Sequence, residues 1–271
     1  MLKQRILTAA ILIPVVLGLL FYVPPQAFCV LAGLLVLGAS YEWTRLMQLQ
    51  RMASRLIYIA LLAGAMYITL FNIPIPLVLM TAFAWWLLAA LLVMVYPRGI
   101  IFWTRNKVVK GLMGIMVLLP CWVALSYIRN TEQGTIVLLY LFILIWGADS
   151  AAYFVGKKWG TTKLAPKVSP GKSVQGATGA ILFAILITIG GAFSSDLTTG
   201  LLLYAVGLAV ATVVFSILGD LFESMFKREA GLKDSGNILP GHGGLLDRID
   251  SLTAAAPVYA LGFMLRNAFF S

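Results

Sequence analysis

Residues 199–222, TGLLLYAVGLAVATVVFSILGDLF, carry one charged group, Asp220, and it stands near the end of the run. A helix of about 20 mostly apolar residues crosses a hydrocarbon layer of roughly 30 Å, so this stretch reads as a membrane span. The pattern recurs on both sides of it. Windows at 6–23, 27–43, 56–73, 75–96, 111–128, 135–155, 174–194, 199–222 and 251–268 all have the required length and apolarity. The expected fold is all-α: a polytopic integral membrane protein of about nine transmembrane helices, forming a single membrane-embedded domain over residues 1–271.

Composition points the same way. Of the 271 residues 61% are apolar and 11% charged, whereas a soluble domain has about 45–50% and about 25%. That excludes a disordered chain and an ordinary water-soluble enzyme. Pro24-Pro25 and Pro74-Ile75-Pro76 leave room only for tight hairpins, where proline ends one helix and cannot continue it. Met1 to Arg5 precede a run long enough to span and without a small-residue cleavage site, so the first window is read as an uncleaved span. Cys29 and Cys121 fall within spans and are read as packing residues, not as a disulfide or metal pair.

Lys and Arg number 20 against 10 acids, a net charge of +10. In a soluble chain that excess would suggest nucleic acid. Here position decides otherwise. Eighteen of the twenty basic residues lie in segments 3–5, 45–55, 98–110, 157–172 and 227–248, all on one side of the proposed spans, leaving only Arg129 and Arg266 on the other. The positive-inside rule makes the first side cytoplasmic, with the N-terminus inside and the C-terminus outside. Nucleic acid is not needed to explain the charge. Two polar stretches, 156–173 and 223–250, are then cytoplasmic loops, and the active site is expected there.

Ionisable groups at membrane depth are expensive, which makes each a functional candidate. Three groups stand at span ends: Asp149 with Ser150; Asp220 with Glu223 and Ser224; and Asp247 with Asp250 and Ser251. In a helix the last two sets share the i, i+3, i+4 spacing and project their oxygens from one face. Two helices can thereby aim carboxylates at one volume, the ligand chemistry of Mg²⁺. Glu42, Glu229 and Asp234, taken singly, are read instead as capping or interfacial pairing residues.

Residues 163–173 supply the complementary charge. Lys167, Ser169, Lys172 and Ser173 precede an expected helix start at Val174, whose free N–H groups favour an anion. The Gly171-Lys172-Ser173 triplet is no P-loop, because Pro166 stands where that motif needs its first glycine. A role in topology and in contact with anionic lipids is also open to these lysines. Gly176 and Gly179 share a helix face and are read as a close packing site.

The segment from Ser224 to Asp250 contains Ser224, Lys227-Arg228, Lys233-Asp234, Pro240-Gly241-His242-Gly243-Gly244 and Asp247-Arg248-Ile249-Asp250. It resembles, throughout, the signature of the phosphatidate cytidylyltransferase (CDP-diacylglycerol synthase) family. Ser169-Pro170-Gly171-Lys172-Ser173 is similar to a second family stretch, and Asp149 in the sixth span fits as well. Gln175 departs from it, standing where many members have an acid.

The resemblance implies transfer of the cytidylyl group of CTP to phosphatidate, giving CDP-diacylglycerol and pyrophosphate in phospholipid biosynthesis. It implies a bacterial-type inner membrane with the site facing the cytoplasm, and a homodimer. Asp220 and Asp247, with Asp149, would hold Mg²⁺; whether a second cation joins it stays open. Lys227 and Arg248 would act with the two aspartates in catalysis. Lys167, Ser169, Lys172, Ser173, Ser224, Arg228, Lys233, His242 and Asp250 would bind substrate, a structural turn remaining the other reading of His242. A polyisoprenoid kinase or other CTP-dependent lipid enzyme, and an ion-coupled transporter, are the alternatives; the acids gather at one face, which disfavours the transporter.

Overall fold

The computed structural model describes residues 14–98, 106–192, 198–236 and 243–270, the last four by backbone alone. Residues 14–22 are helical. After them come α1 (Pro25–Leu46), α2 (Met52–Asn72), α3 (Ile75–Val95), α4 (Lys107–Arg129) and α5 (Gly134–Trp159), the strands β1 (Lys163–Ala165) and β2 (Ser169–Ser173), then α6 (Val174–Ala192), α7 (Thr199–Glu229) and α8 (Leu246–Phe270). Among the described residues, seven helices, α1 to α7, are long and apolar enough to cross a membrane. The architecture is that of an all-α polytopic membrane protein with one small addition.

The addition is a hairpin. Residues 156–173 were expected as a loop; α5 instead runs on to Trp159, and β1 and β2 pair antiparallel with Lys163 opposite Ser173 and Ala165 opposite Ser169. A strand of three or five residues is too short for periodicity to reveal. Val168, in the turn between the strands, is buried in the main core and fixes the hairpin over the helix ends.

Helix boundaries follow local chemistry. The hairpins at Pro24-Pro25 and Pro74-Ile75-Pro76 occur as expected, with proline in the first turn of α1 and α3, where no N–H is required. The Asn106 side chain accepts from Val108 N at 2.9 Å and caps α4, and Thr198 caps α7. The largest departures from the apolar windows, of three residues or more, are helix extensions at one end of the bundle. Thus α1 reaches Leu46, α4 starts at Lys107, α7 continues to Glu229 and α8 begins at Leu246. A hydropathy window stops at charge, but Glu, Met, Lys and Arg are good helix formers. These polar extensions build a structured head on the apolar bundle.

Large apolar side chains lie open on the helix flanks, among them Leu61, Phe71, Met94, Leu186 and Leu203. In water such a surface would be an aggregation liability; against lipid tails it is the required solvent match. The interior is aromatic beneath the head. Trp43 packs on Phe226 with ring centroids 5.0 Å apart, and Trp86 meets Phe222 edge-on at 5.6 Å. Phe222 and Phe226, four residues apart, face that core and leave the flanking positions 220, 223, 224 and 227 to other neighbours.

At the opposite end Arg129, one of two basic residues that break the charge asymmetry, is buried. Its guanidinium donates to the carbonyls of Leu20 at 3.3 Å and Val23 at 2.9 Å, and lies over the Phe28 ring. It closes the carbonyl end of the helix at 14–22.

Small residues permit the tightest approaches. Gly176 and Gly179 face Ala152 and Val155 of α5, the close packing their spacing predicted. Gly219 is the position nearest the head: a Cβ there would stand 2.5 Å from the Asp250 carbonyl oxygen of α8, a backbone atom that cannot swing aside. Gly219→Ala is therefore expected to destabilise the protein by about 1–3 kcal/mol. Gly207→Ala, in open space on the same helix, should be neutral or slightly stabilising, and thermal unfolding in detergent separates the two.

Candidate active site

The head brings together the segments that the sequence singled out, three of them through direct side-chain contacts. On α7, Asp220 accepts from Ser224 Oγ at 3.1 Å through one oxygen and pairs with Lys172 Nζ of β2 at 2.7 Å through the other. One turn further, Lys227 is buried between two acids, with Glu223 at 3.1 Å on its own helix and Asp247 at 2.8 Å on α8. The i, i+4 order of Glu before Lys suits a helix, but the third partner comes from tertiary packing.

Asp247 receives more than the lysine. Its Oδ2 accepts the backbone N–H of Ser235 at 2.9 Å and of Gly244 at 2.8 Å, so the aspartate pins both sides of the loop between α7 and α8. Gly243, at φ +82°, lies in the left-handed region that lets the chain turn back onto this carboxylate. Asp250, one turn into α8, accepts from Ser251 N and lies within electrostatic reach of Asp220, Lys172 and Lys227. Asp149 of α5 lies within reach of Lys172 and Asp220.

The remaining residues are placed less centrally. Arg228 donates from Nε to the Val168 carbonyl at 3.3 Å, tying the end of α7 to the hairpin turn. Ser173 is buried and accepts the Gly176 N–H at 3.1 Å, serving the start of α6. Lys167 is exposed in the hairpin turn and Ser169 is half-buried at the start of β2; the hairpin reaches the acids through Lys172. Lys233 and Arg248 are exposed on either side of the 235–246 loop, and His242 lies outside the described residues. Gln175 makes the family departure intelligible: its Oε1 accepts the N–H groups of Thr161 and Thr162, each at 3.2 Å, and so closes the entry to the hairpin. A carboxylate could accept the same two bonds.

Two acids were undervalued by the sequence. Glu223 was grouped with Asp220 but given no role, although it is buried against Lys227. Glu42, read as a cap, does cap a helix, but a remote one: its Oε2 accepts from Leu246 N at 2.8 Å, at the start of α8, and from Ser235 Oγ at 3.0 Å. Its only sequence signal was its position as a lone acid at the end of an apolar helix.

Chemically, Asp220, Glu223 and Asp247 are paired directly with Lys172 and Lys227, while Asp149 and Asp250 lie within electrostatic reach of the same groups. Oxygen donors with surplus negative charge are the chemistry of a hard divalent cation. No three of the described acids stand close enough together to enclose a metal by themselves. Mg²⁺ is commonly held by one or two carboxylates together with water and substrate phosphates. A separate recess of about 470 Å³, lined by Arg45, Arg55 and Lys107 among others, contains no carboxylate and stands apart from this set.

Residues 3–265 match the model of the cytidylyltransferase family. This chain belongs to that family. It is 44% identical over 263 residues to a protein of Pseudomonas aeruginosa named phosphatidate cytidylyltransferase, covering 96% of each chain. Relatives of the same name from Haemophilus influenzae and Bacillus subtilis are 40% and 33% identical, covering 96% and 94% of this chain and 98% and 95% of theirs. Family membership over nearly the full length means that the acid and lysine cluster is set in the architecture of a nucleotidyltransferase.

Lys227 is the member whose loss the cluster should tolerate least. Lys227→Ala leaves Glu223 and Asp247 buried without their cation, a change worth about 3–5 kcal/mol in comparable buried pairs. The thermal midpoint in detergent should fall markedly, and adding Glu223→Gln to Lys227→Ala should recover part of the loss.

Proposed function

We propose that this protein transfers the cytidylyl group of CTP to phosphatidate, forming CDP-diacylglycerol and releasing pyrophosphate. The observation that carries the reading is the head itself: carboxylates of α5, α7 and α8 interleaved with Lys172 and Lys227 at one end of a membrane bundle. The relatives' shared name supplies the substrates.

Both reactants are anions. A phosphate oxygen of phosphatidate forms a bond to the α-phosphorus of CTP while the bond from that phosphorus to the bridging oxygen of pyrophosphate breaks. No strong base is required, since the attacking phosphate is already ionised. What the site must provide is charge compensation and in-line alignment. Lys172, Lys227, Arg228 and Arg248 supply positive charge, arginine as a fork and lysine as a point. Asp149, Asp220 and Asp247 would hold Mg²⁺, with Asp250 beside them. When bound, the ion would neutralise phosphate oxygens and favour departure of pyrophosphate. Lys167, Ser169, Ser173, Ser224, Lys233 and His242 belong to the proposed substrate surface through their place in the two family stretches.

The finer topology belongs to the same proposal. Nine spans, obtained by adding the N-terminal window and α8 to the seven apolar helices, put the N-terminus and the acid cluster on the basic, cytoplasmic side of a bacterial inner membrane. CTP is then met on the side where it is made, and phosphatidate enters laterally from the leaflet. The resemblance also implies a homodimer.

Purified protein in detergent with Mg²⁺, labelled CTP and phosphatidate should yield CDP-diacylglycerol, and chelation of the metal should abolish it. Asp220→Ala and Asp247→Ala should each lower kcat by about a hundredfold or more, the scale on which removing one electrostatic contributor acts. A wild type that forms no liponucleotide, or full activity in both variants, would overturn the reading. Cysteines introduced at positions 167 and 233 should react with an impermeant reagent in inside-out vesicles and resist it in intact cells; the reverse pattern defeats the topology.

A further inference from the structure

Glu42 lies in α1, outside both polar stretches, yet it is 1% exposed and bound to the loop that carries Asp247. One oxygen, Oε2, takes two donors from opposite ends of that loop: Ser235 Oγ, 193 residues away, and Leu246 N, 204 residues away. Asp247 grips the same loop from the other side through the N–H groups of Ser235 and Gly244. Ser235 is thus held twice, by its hydroxyl to Glu42 and by its amide to Asp247.

The packing around Glu42 is as specific as its hydrogen bonds. A Cβ at Gly236 would collide with Glu42 Oε1, and one at Gly244 with Glu42 Oε2 and Ser235 Oγ. Two of the loop's glycines are therefore demanded by this carboxylate. The next residue makes α1 a rigid mount: Trp43 is fully buried, donates from Nε1 to the Lys110 carbonyl at 2.9 Å, and packs on Phe226, the neighbour of Lys227. Hence α1 contacts both α7, which carries Lys227, and the start of α8, which carries Asp247.

We propose that Glu42 is a positioning residue of the active site, fastening the two ends of the 235–246 loop so that Asp247 meets Lys227. It does not touch the reacting groups; it acts through Asp247, and so rests on the role proposed for that residue above. What it supplies is a hydrogen-bond acceptor at one oxygen. Its other oxygen, Oε1, is buried and receives no hydrogen bond, so an amide placed there loses no donor.

The test compares Glu42→Ala, Glu42→Gln and Ser235→Ala in the full-length protein purified in detergent. Glu42→Ala should lower kcat at least about tenfold while KM for CTP changes less than about threefold, since a misplaced group costs rate more than affinity. Tryptic cleavage at Lys233 and Arg248 should accelerate at least about fivefold, as expected of a loop released from its anchors. Glu42→Gln should restore kcat and protease resistance to within about threefold of the wild type, because the acceptor is retained. Ser235→Ala should fall between the wild type and Glu42→Ala, with non-additive effects in the double variant. A kcat for Glu42→Ala within about twofold of the wild type overturns the proposal. So does an equal loss in Glu42→Gln, or a loss explained by a lower folded fraction without faster cleavage. Should Asp247→Ala prove fully active, the role of Asp247 fails on its own, and the cleavage rates of Glu42→Ala still decide whether Glu42 holds the loop.

Discussion

A lysine ammonium buried between two buried carboxylates sets the terms for the rest of the head. In a medium that solvates charge poorly, Glu223 and Asp247 cannot be left unpaired, and Lys227 cannot be withdrawn from either. The pairing therefore locks the end of α7 to the start of α8. Once Asp247 is fixed, its second oxygen draws in the amides of Ser235 and Gly244, one from each side of the connection between the helices. The Lys172 and Asp220 pair attaches the hairpin to the same frame, and Arg228 attaches its turn.

Beneath that frame the requirements change. The bundle has no hydrophobic driving force from water along its lipid-facing flanks, so close packing and satisfied polar groups hold the helices together. Gly219 allows α7 to touch the backbone of α8, and the Trp43, Phe222 and Phe226 cluster fills the space below the acids. Each turn of α7 near its end serves both regimes, aromatic rings on one side and charge on the other. A head that joins a triphosphate to a lipid phosphate has to be rigid and highly charged while resting on hydrocarbon, and α7 satisfies both through its side-chain periodicity.

Much of this architecture is legible in the sequence. Seven of the nine apolar windows, the two proline hairpins, the start of α6 at Val174 and the facing glycines at 176 and 179 follow from local composition and spacing, and appear as expected among the described residues. The shared face of Asp220 and Ser224 was legible because i, i+4 geometry is a property of any helix. The polar helical extensions were not, since apolarity and helicity part company where Glu, Lys and Arg begin. Nor was the short hairpin, whose strands lack enough residues to show alternation.

The sequence by itself determined that the chain is built of membrane-length apolar helices, and that most of its acids and basic residues fall in the same few segments. Those are one-dimensional properties, set by transfer free energies and helix periodicity. Only the tertiary structure decided which acid meets which lysine, because Lys172 and Asp220 stand 48 positions apart and Lys227 and Asp247 stand 20 apart across a loop. It alone decided the role of Glu42, whose partners lie some two hundred residues away. Contacts at such separations are made by helix packing, and packing is set by the shapes of whole faces, a quantity no local window of sequence contains.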